Sequence, residues 1–144
     1  SARQSATGDY ATYGLYNCES TAQVLTALTS LGVDPMKDAR FIKNGKTVLD
    51  GLLRYRLPDG SFTHSYTTDP ENDAAVAGGY NYLATDQAAY AMVSLWRLQQ
   101  GQNALYDMRP DTKTSFADFI KTVIEAIKAL LERLRGVFGW AIGR

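Results

Sequence analysis

Residues 84–101 read ATDQAAYAMVSLWRLQQG, and a second copy of this pattern lies upstream in the chain. Sliding residues 20–31 onto residues 84–95, a shift of 64 positions, pairs five identical residues. The pairs are Thr21 with Thr85, Gln23 with Gln87, Ala27 with Ala91, Ser30 with Ser94 and Leu31 with Leu95. A period of 64 residues is too long for one helix and its loop, but it suits a helix, a return helix and a connecting arm. The repeat therefore predicts stacked αα-hairpins. It also predicts that the two similar helix beginnings, near residues 20 and 84, lie side by side and point the same way.

Both copies have the end signals and apolar spacing of a helix. Asn17 is the predicted N-cap of the first helix and Gly32 its stop. Thr85 is the predicted N-cap of the later helix and Gly101 its stop. The buried face of the later helix is predicted to consist of Ala88, Met92, Leu95 and Trp96. Between the two copies, a further helix that ends before Pro58 is predicted by Val48, Leu49, Leu52 and Leu53.

Two polar segments have no helical period. Residues 1–16 are rich in Ser, Ala, Thr, Gly and Tyr, and we expect a loose N-terminal arm. The string PDGSF at residues 58–62 predicts a turn that returns an aromatic ring to the core. Residues 63–82 then predict a long irregular arm. Loops of this length in compact domains are usually either functional or disordered, so this arm is a candidate for function.

The most regular apolar pattern lies near the C-terminus. Residues 109–144 are predicted to form a connector and a long amphipathic helix that packs on the same core as residues 17–108. The alternative is that this helix binds a partner or a second copy. The residues expected to make either contact are Phe116, Phe119, Ile120, Val123, Ile127, Leu130 and Leu134. A helix on a membrane surface would favour a mostly cationic polar face, whereas this one mixes both signs of charge.

Composition excludes several classes of function. Fifteen basic and fifteen acidic residues cancel among 144, so we expect no nucleic-acid partner. No apolar run approaches the ~18 residues of a membrane span, so no transmembrane segment is expected. Cys18 is the only cysteine, which excludes an internal disulfide framework.

Four strings carry a resemblance to a known superfamily. They are ESTAQ at 19–23, VLDGLL at 48–53, DGSF at 59–62 and TDQAAYA at 85–91. They resemble the α/α-toroid superfamily of terpenoid cyclases and protein prenyltransferase β subunits, and more closely the prenyltransferase-type repeats of secreted or wall-attached bacterial proteins. The resemblance implies an all-α fold in which stacked antiparallel αα-hairpins form a partial toroid, with the C-terminal amphipathic helix added. It also implies an extracellular or cell wall-associated bacterial location and a chain that is a fragment of a longer one.

The catalytic residues of this superfamily are replaced at one place, residues 17–22. Polyene-protonating cyclases have an Asp-x-Asp-Asp-Thr-Ala segment there, and of its acidic positions only Glu19 could donate a proton in this chain. Zinc-dependent prenyltransferases use an Asp where Asn17 stands, a Cys that Cys18 matches, and a later His that is missing. Thioester domains require a Gln where Thr21 stands. Cys18, His64 and a carboxylate remain an arithmetically possible zinc set.

We therefore expect a non-catalytic binding or structural module of a bacterial cell-surface protein, with no cofactor and no metal site. An enzyme is the less favoured possibility. The expected ligand-binding residues are Asn17, Glu19, His64, Tyr66, Tyr82, Asp86 and Tyr90. The alternative is a terpenoid-cyclase-like or prenyltransferase-like enzyme, or a corrinoid-type small-ligand carrier, completed by sequence outside this chain or by a second chain.

Overall fold

The structure of the protein is a computed structural model that describes residues 1–109, 118, 120–130 and 132. The chain divides into two compact units, Ser1–Asp111 and Thr112–Arg144. The first unit contains every element named below except the C-terminal helix. In chain order these are strands β1 (Ala11–Thr12) and β2 (Leu15–Tyr16), helix α1 (Cys18–Ser30), a 3₁₀ turn (Ala39–Phe41), helix α2 (Val48–Leu53) and helix α3 (Tyr82–Gln99).

The prediction of an all-α fold is wrong, because the chain is mixed α/β and only 43% helical. Strands β1 and β2 form an antiparallel hairpin in which Ala11 pairs with Tyr16. Tyr13 (φ 50°) and Gly14 (φ 87°) form its two-residue turn, and positive φ at both turn positions matches the right-handed twist of the strands. Strands of two residues are too short to produce a period in the sequence. The predicted αα-hairpins also fail in the described residues, since α2 has only six residues and cannot serve as a full return helix.

Helices α1 and α3 lie side by side and run in the same direction. Near their starts, Cys18 Sγ donates to the Ala84 carbonyl at 3.6 Å. Near their ends, the hydroxyl groups of Thr29 and Ser94 share a hydrogen bond. The starts of α1 and α3 therefore lie next to each other, and so do their ends. This confirms the prediction that the two repeated helix beginnings are neighbours. The close approach is possible because the buried residues of α3 are mainly small: Ala84, Ala88, Ala91, Ser94 and Leu95.

The two helices also begin in the same way. The side chain of Asn17 accepts from the backbone of Ser20 at 2.8 Å and caps α1, as predicted. The side chain of Asn81, which is 64 residues later, accepts from Ala84 at 2.9 Å and caps α3. Thr85 is therefore not the N-cap of α3, since the helix begins one turn before it. A further misplaced residue is Trp96, which is predicted to be buried but is 52% exposed.

One threonine in each helix completes the repeat. Thr21 Oγ1 donates to the Asn17 carbonyl at 2.9 Å and accepts from the Tyr10 backbone at 3.0 Å. Thr85 Oγ1 donates to the Asn81 carbonyl at 2.8 Å and accepts from the Phe62 backbone at 3.0 Å. Each helix start is therefore tied to an aromatic segment that precedes it. Both rings belong to the buried core, together with Leu25, Val48, Leu52, Ala88 and Leu95.

The N-terminal arm, residues 1–16, which we expected to be loose, is packed on α2 and its end at Gly8 and Asp9. Gln4 and Asp9 are each 1% exposed, and Tyr10 is buried. The packing depends on the close approach of Gly8 to Gly51 of α2. A Cβ on Gly51 would lie 2.3 Å from the carbonyl carbon of Gly8, closer than real Cβ contacts allow. Two glycines thus let the N-terminal backbone lie directly on a helix backbone.

The described part of the second unit is helical at residues 118, 120–130 and 132. Phe116, Phe119 and Leu134 lie outside the described residues. Ile120, Val123, Ile127 and Leu130 are each at least about a third exposed. The expected packing of this helix on the core, or on a partner, stays a prediction. Across the described residues, no helix combines the length and apolar character required to cross a membrane.

Candidate functional site

A cleft of about 800 Å³ opens beside the start of α1. We call it the His64 cleft. It is bounded by the β1–β2 hairpin, the first turn of α1 and the arm that follows His64. Its lining residues are Thr12, Tyr13, Leu15, Asn17, Glu19, Ser20, His64, Asp69, Pro70, Glu71, Asn72 and Leu83.

His64 lies at the base of this cleft and is held from three directions. Its Nδ1 is 2.8 Å from Glu19 Oε2, and its Nε2 is 3.0 Å from Asp69 Oδ2. Its backbone carbonyl accepts from the Cys18 amide at 2.9 Å. The residue is only 8% exposed, so these contacts replace water around the ring. Both ring nitrogens are therefore engaged, and neither is free to act on a substrate.

The cleft has an excess of negative charge. Three carboxyl groups line it, those of Glu19, Asp69 and Glu71, against the one imidazole of His64. The Glu71 side chain is exposed, while its backbone amide donates to Asp69 Oδ1 at 2.9 Å. The lining is thus suited to attract a cationic group.

Cys18 lies next to the cleft but offers no nucleophile to it. Its side chain is fully buried, and its thiol is directed to the Ala84 carbonyl of α3. Burial raises the pKa of the Cys18 thiol, and the negative charge of Glu19 raises it further. A thiol held in this way is an inert core residue. The nearby Ser20 hydroxyl shares a hydrogen bond with Thr12 at 2.6 Å.

The geometry also bears on the acid and zinc roles considered from sequence. Glu19 Oε2 is engaged by His64 Nδ1 at 2.8 Å, so this oxygen is not presented to a substrate. In the part of the chain that the structure describes, no three His, Cys, Asp or Glu side chains form a group that could hold a metal ion. A catalytic zinc requires about three such ligands, so Cys18 and His64 do not make that site.

The structure brings together some of the predicted binding residues and separates others. Asn17, Glu19 and His64 share the His64 cleft. Tyr66 lines a different cleft, together with Ser65 and Thr67. The remaining three lie on α3 and do not line either cleft. Tyr82 and Asp86 are exposed, and the Tyr90 hydroxyl accepts from Gln23 at 2.5 Å.

Sequence reasoning assigned Asp69 and Glu71 to a solvated acidic loop and did not connect them with this site. The acidic string from Asp69 to Asp73 indicates a solvated loop, and clustered oxygens alone do not distinguish a loop from a binding site. The available signal was that these acids follow the only histidine within one long arm. The contact with Glu19, 45 residues earlier, could not be derived from that signal.

Comparisons of the chain with protein-family models, with curated proteins and with solved structures gave no significant match.

Proposed function

We propose that this chain is a non-catalytic binding module of a bacterial cell-surface protein, and that the His64 cleft is its ligand site. One observation carries the proposal: the single imidazole of the chain is fixed at the base of a cleft by two carboxylates. A general base must have a ring nitrogen available to the substrate, and this ring has none. A rigid, pre-paired lining is instead what a recognition surface requires.

The ligand that fits the lining carries an amino group beside an apolar part. Three carboxylates outnumber one imidazole, and Asn17 and Asn72 add further polar groups. Leu15, Pro70 and Leu83 supply apolar surface on the same walls. A volume of about 800 Å³ lies within the ~300–1,000 Å³ of small-molecule sites. An amino sugar, a polyamine or a lysine side chain of a peptide has this chemistry.

The surface location and the kinship with prenyltransferase-type repeats remain proposals. Their support is the resemblance of the strings at 19–23, 48–53, 59–62 and 85–91, together with the parallel pairing of α1 and α3. In that case this chain would be a fragment of a longer parent protein.

The test is a titration of ¹⁵N-labelled protein, followed by NMR, with spermidine, glucosamine and the peptide Gly-Lys-Gly. Acetate and glucose serve as probes without an amino group. We expect saturable shifts at the His64 cleft from the amines only. Glu71→Gln should weaken amine binding about fivefold, the equivalent of the ~1 kcal/mol of an exposed ion pair. The effect should also fall at high salt.

Asp73→Asn is the matched control, because it makes the same change of charge on the same arm outside the cleft lining. It should leave the amine affinity within about twofold. Equal binding of amines and acetate, or equal effects of the two variants, would contradict the proposal. Stoichiometric zinc in purified protein that is lost on changing His64 would instead support the enzyme alternative.

A further inference from the structure

A second cleft, which we call the Tyr66 cleft, lies between the N-terminal segment, the end of α2 and the arm. Its volume is about 390 Å³, at the small end of the range for ligand sites. Arg54, Tyr55 and Tyr66 line it together with Asp9. None of these side chains belongs to the His64 cleft. This site therefore goes beyond the proposed function and depends on different contacts.

The charges in the Tyr66 cleft cancel one another. Asp9 is 1% exposed and accepts from Arg54 Nη1 at 2.7 Å and from the Tyr55 hydroxyl at 2.8 Å. Thr7 and Ser5 also donate to the same carboxylate. One buried anion thus neutralises the one cation on the lining. A cleft of this kind gives no net attraction to a charged ligand.

Arg54 nevertheless retains donors for a ligand. Its side chain is 48% exposed, and its contacts with Asp9 and Thr7 both use Nη1. No hydrogen bond joins Nε or Nη2 of Arg54 to another residue in the described part of the chain. Its Nη1 is held by the buried carboxylate, and the three N–H groups of Nε and Nη2 remain as donors. Hydroxyl oxygens are suitable acceptors for them.

Tyr66 provides an aromatic surface next to these donors. Its ring is 55% exposed and stacks on the buried Tyr55, with the ring centres 6.3 Å apart and the planes 14° from parallel. Contact with Tyr55 restricts the Tyr66 ring, so less side-chain entropy is lost when a ligand binds. The negative face of an aromatic ring attracts the weakly positive C–H groups of a sugar ring.

We infer that the Tyr66 cleft binds a neutral saccharide, whose ring lies on Tyr66 and whose hydroxyl groups accept hydrogen bonds from Arg54. The volume has room for one or two sugar rings. Hydroxyl groups of Tyr16, Ser65 and Thr67 line the same cleft and add neutral partners. A simple anion would bind more weakly, because Asp9 cancels the charge of Arg54 and leaves little electrostatic attraction.

The test is calorimetry and ¹⁵N NMR titration of the full chain with glucose, galactose, mannose, N-acetylglucosamine, cellobiose and chitobiose. Inorganic phosphate and acetate are the anionic probes. We expect at least one saccharide to bind saturably, with shifts at Tyr66, Thr67 and Arg54. Tyr66→Ala should weaken that binding at least about tenfold. Tyr80→Ala, a matched change of an exposed arm tyrosine outside both clefts, should leave it within about twofold.

Arg54→Lys is the second variant, because it keeps the charge beside Asp9 and removes the planar donors. It should weaken saccharide binding about fivefold with little change in melting temperature. The inference is overturned if no saccharide saturates at about 10 mM. It is also overturned if phosphate or acetate binds in place of the sugars, or if sugar shifts are confined to the His64 cleft. Amine binding to the His64 cleft is measured independently, so either proposal can fail alone.

Discussion

Asp9 shows how one side chain can hold several segments together. It accepts hydrogen bonds from residues of the N-terminal segment and from Arg54 and Tyr55 at the end of α2. Burial raises the pKa of its carboxyl, but hydrogen bonds from Ser5, Tyr55 and Thr7, with the charge of Arg54, outweigh burial and hold the pKa below its usual value. The charged form is therefore the one that the folded state stabilises.

This shift predicts a loss of stability in acid. A carboxyl with a lowered pKa in the folded state adds stability above its unfolded pKa near ~3.9, and this is lost as the pH falls through the lower folded value. Asp9→Asn should lower the free energy of unfolding by about 1–3 kcal/mol at pH 7, since an amide cannot replace the charge beside Arg54. Urea unfolding of both proteins between pH 7 and 2 should then show a shallower acid loss for the variant.

Asp73→Asn is the control for this measurement, because Asp73 is an exposed aspartate of the arm. It should change the free energy of unfolding by no more than about 0.5 kcal/mol at pH 7. Identical pH profiles for the wild-type protein and Asp9→Asn would show that Asp9 does not contribute to acid sensitivity.

At the level of elements, the main role of α2 is to provide a packing surface for the N-terminal segment. Its six residues are too few for a stable isolated helix. It is held by a capping box, in which Thr47 and Asp50 each accept from the other's backbone. Gly51 leaves its backbone open to the N-terminal segment, whose course then places Asp9 beside Arg54 and Tyr55. The Tyr66 cleft thus depends on a glycine that helix propensity alone disfavours.

Gly51→Ala tests this packing. In an exposed helix the change would stabilise by up to ~1 kcal/mol, but here the new methyl group would lie 2.4 Å from the Asp9 nitrogen. We expect a net loss of about 1–3 kcal/mol in the free energy of unfolding, measured by urea titration. Gly14→Ala is the control, since no atom lies within 4 Å of its added Cβ and only the positive φ opposes it. Gly14→Ala should lower the free energy of unfolding by about 1 kcal/mol or less. An unchanged or increased stability of Gly51→Ala would contradict the close packing of Gly8 on Gly51.

At the scale of the whole first unit, the fold is an imperfect duplication. Each half has a glycine with positive φ, then an aromatic residue two positions later, then an asparagine N-cap and a threonine in the second turn. Six residues lie between Tyr10 and Asn17, whereas eighteen lie between Phe62 and Asn81. The additional length of the second half is the arm that supplies His64, Asp69 and Tyr66. Both candidate sites therefore depend on a segment that one half has and the other lacks.

Because the two halves are equivalent, the same substitution in each half should lower the free energy of unfolding by a similar amount. Thr21→Val and Thr85→Val each remove a hydroxyl that ties a helix start to the backbone of Tyr10 or Phe62. Each should lower the free energy of unfolding by about 1–2 kcal/mol, because an amide is left without its partner. Thr26→Val is the control, since its hydroxyl bonds only to a carbonyl of its own helix. Thermal melts of Thr26→Val should show little change in melting temperature. If Thr21→Val and Thr85→Val lowered stability no more than this control, their hydrogen bonds to Tyr10 and Phe62 would not stabilise the fold.

Several features of this protein could be predicted from residues that are close in the chain. The cap at Asn17, the stops at Gly32 and Gly101 and the turn before Phe62 depend on local backbone preferences. The 64-residue repeat also indicated that α1 and α3 are neighbours, because similar units stack in similar ways.

The tertiary structure alone decided the sites and the fold class. Glu19 reaches His64 across 45 residues, Gly8 meets Gly51 across 43, and two strands of two residues make the fold mixed. Each of these depends on the path of the chain between distant segments, and that path is set by the packing of the whole core. Local preference and period contain no information about it, which is the physical reason that Asp69, Asp9 and Arg54 emerged only from the coordinates.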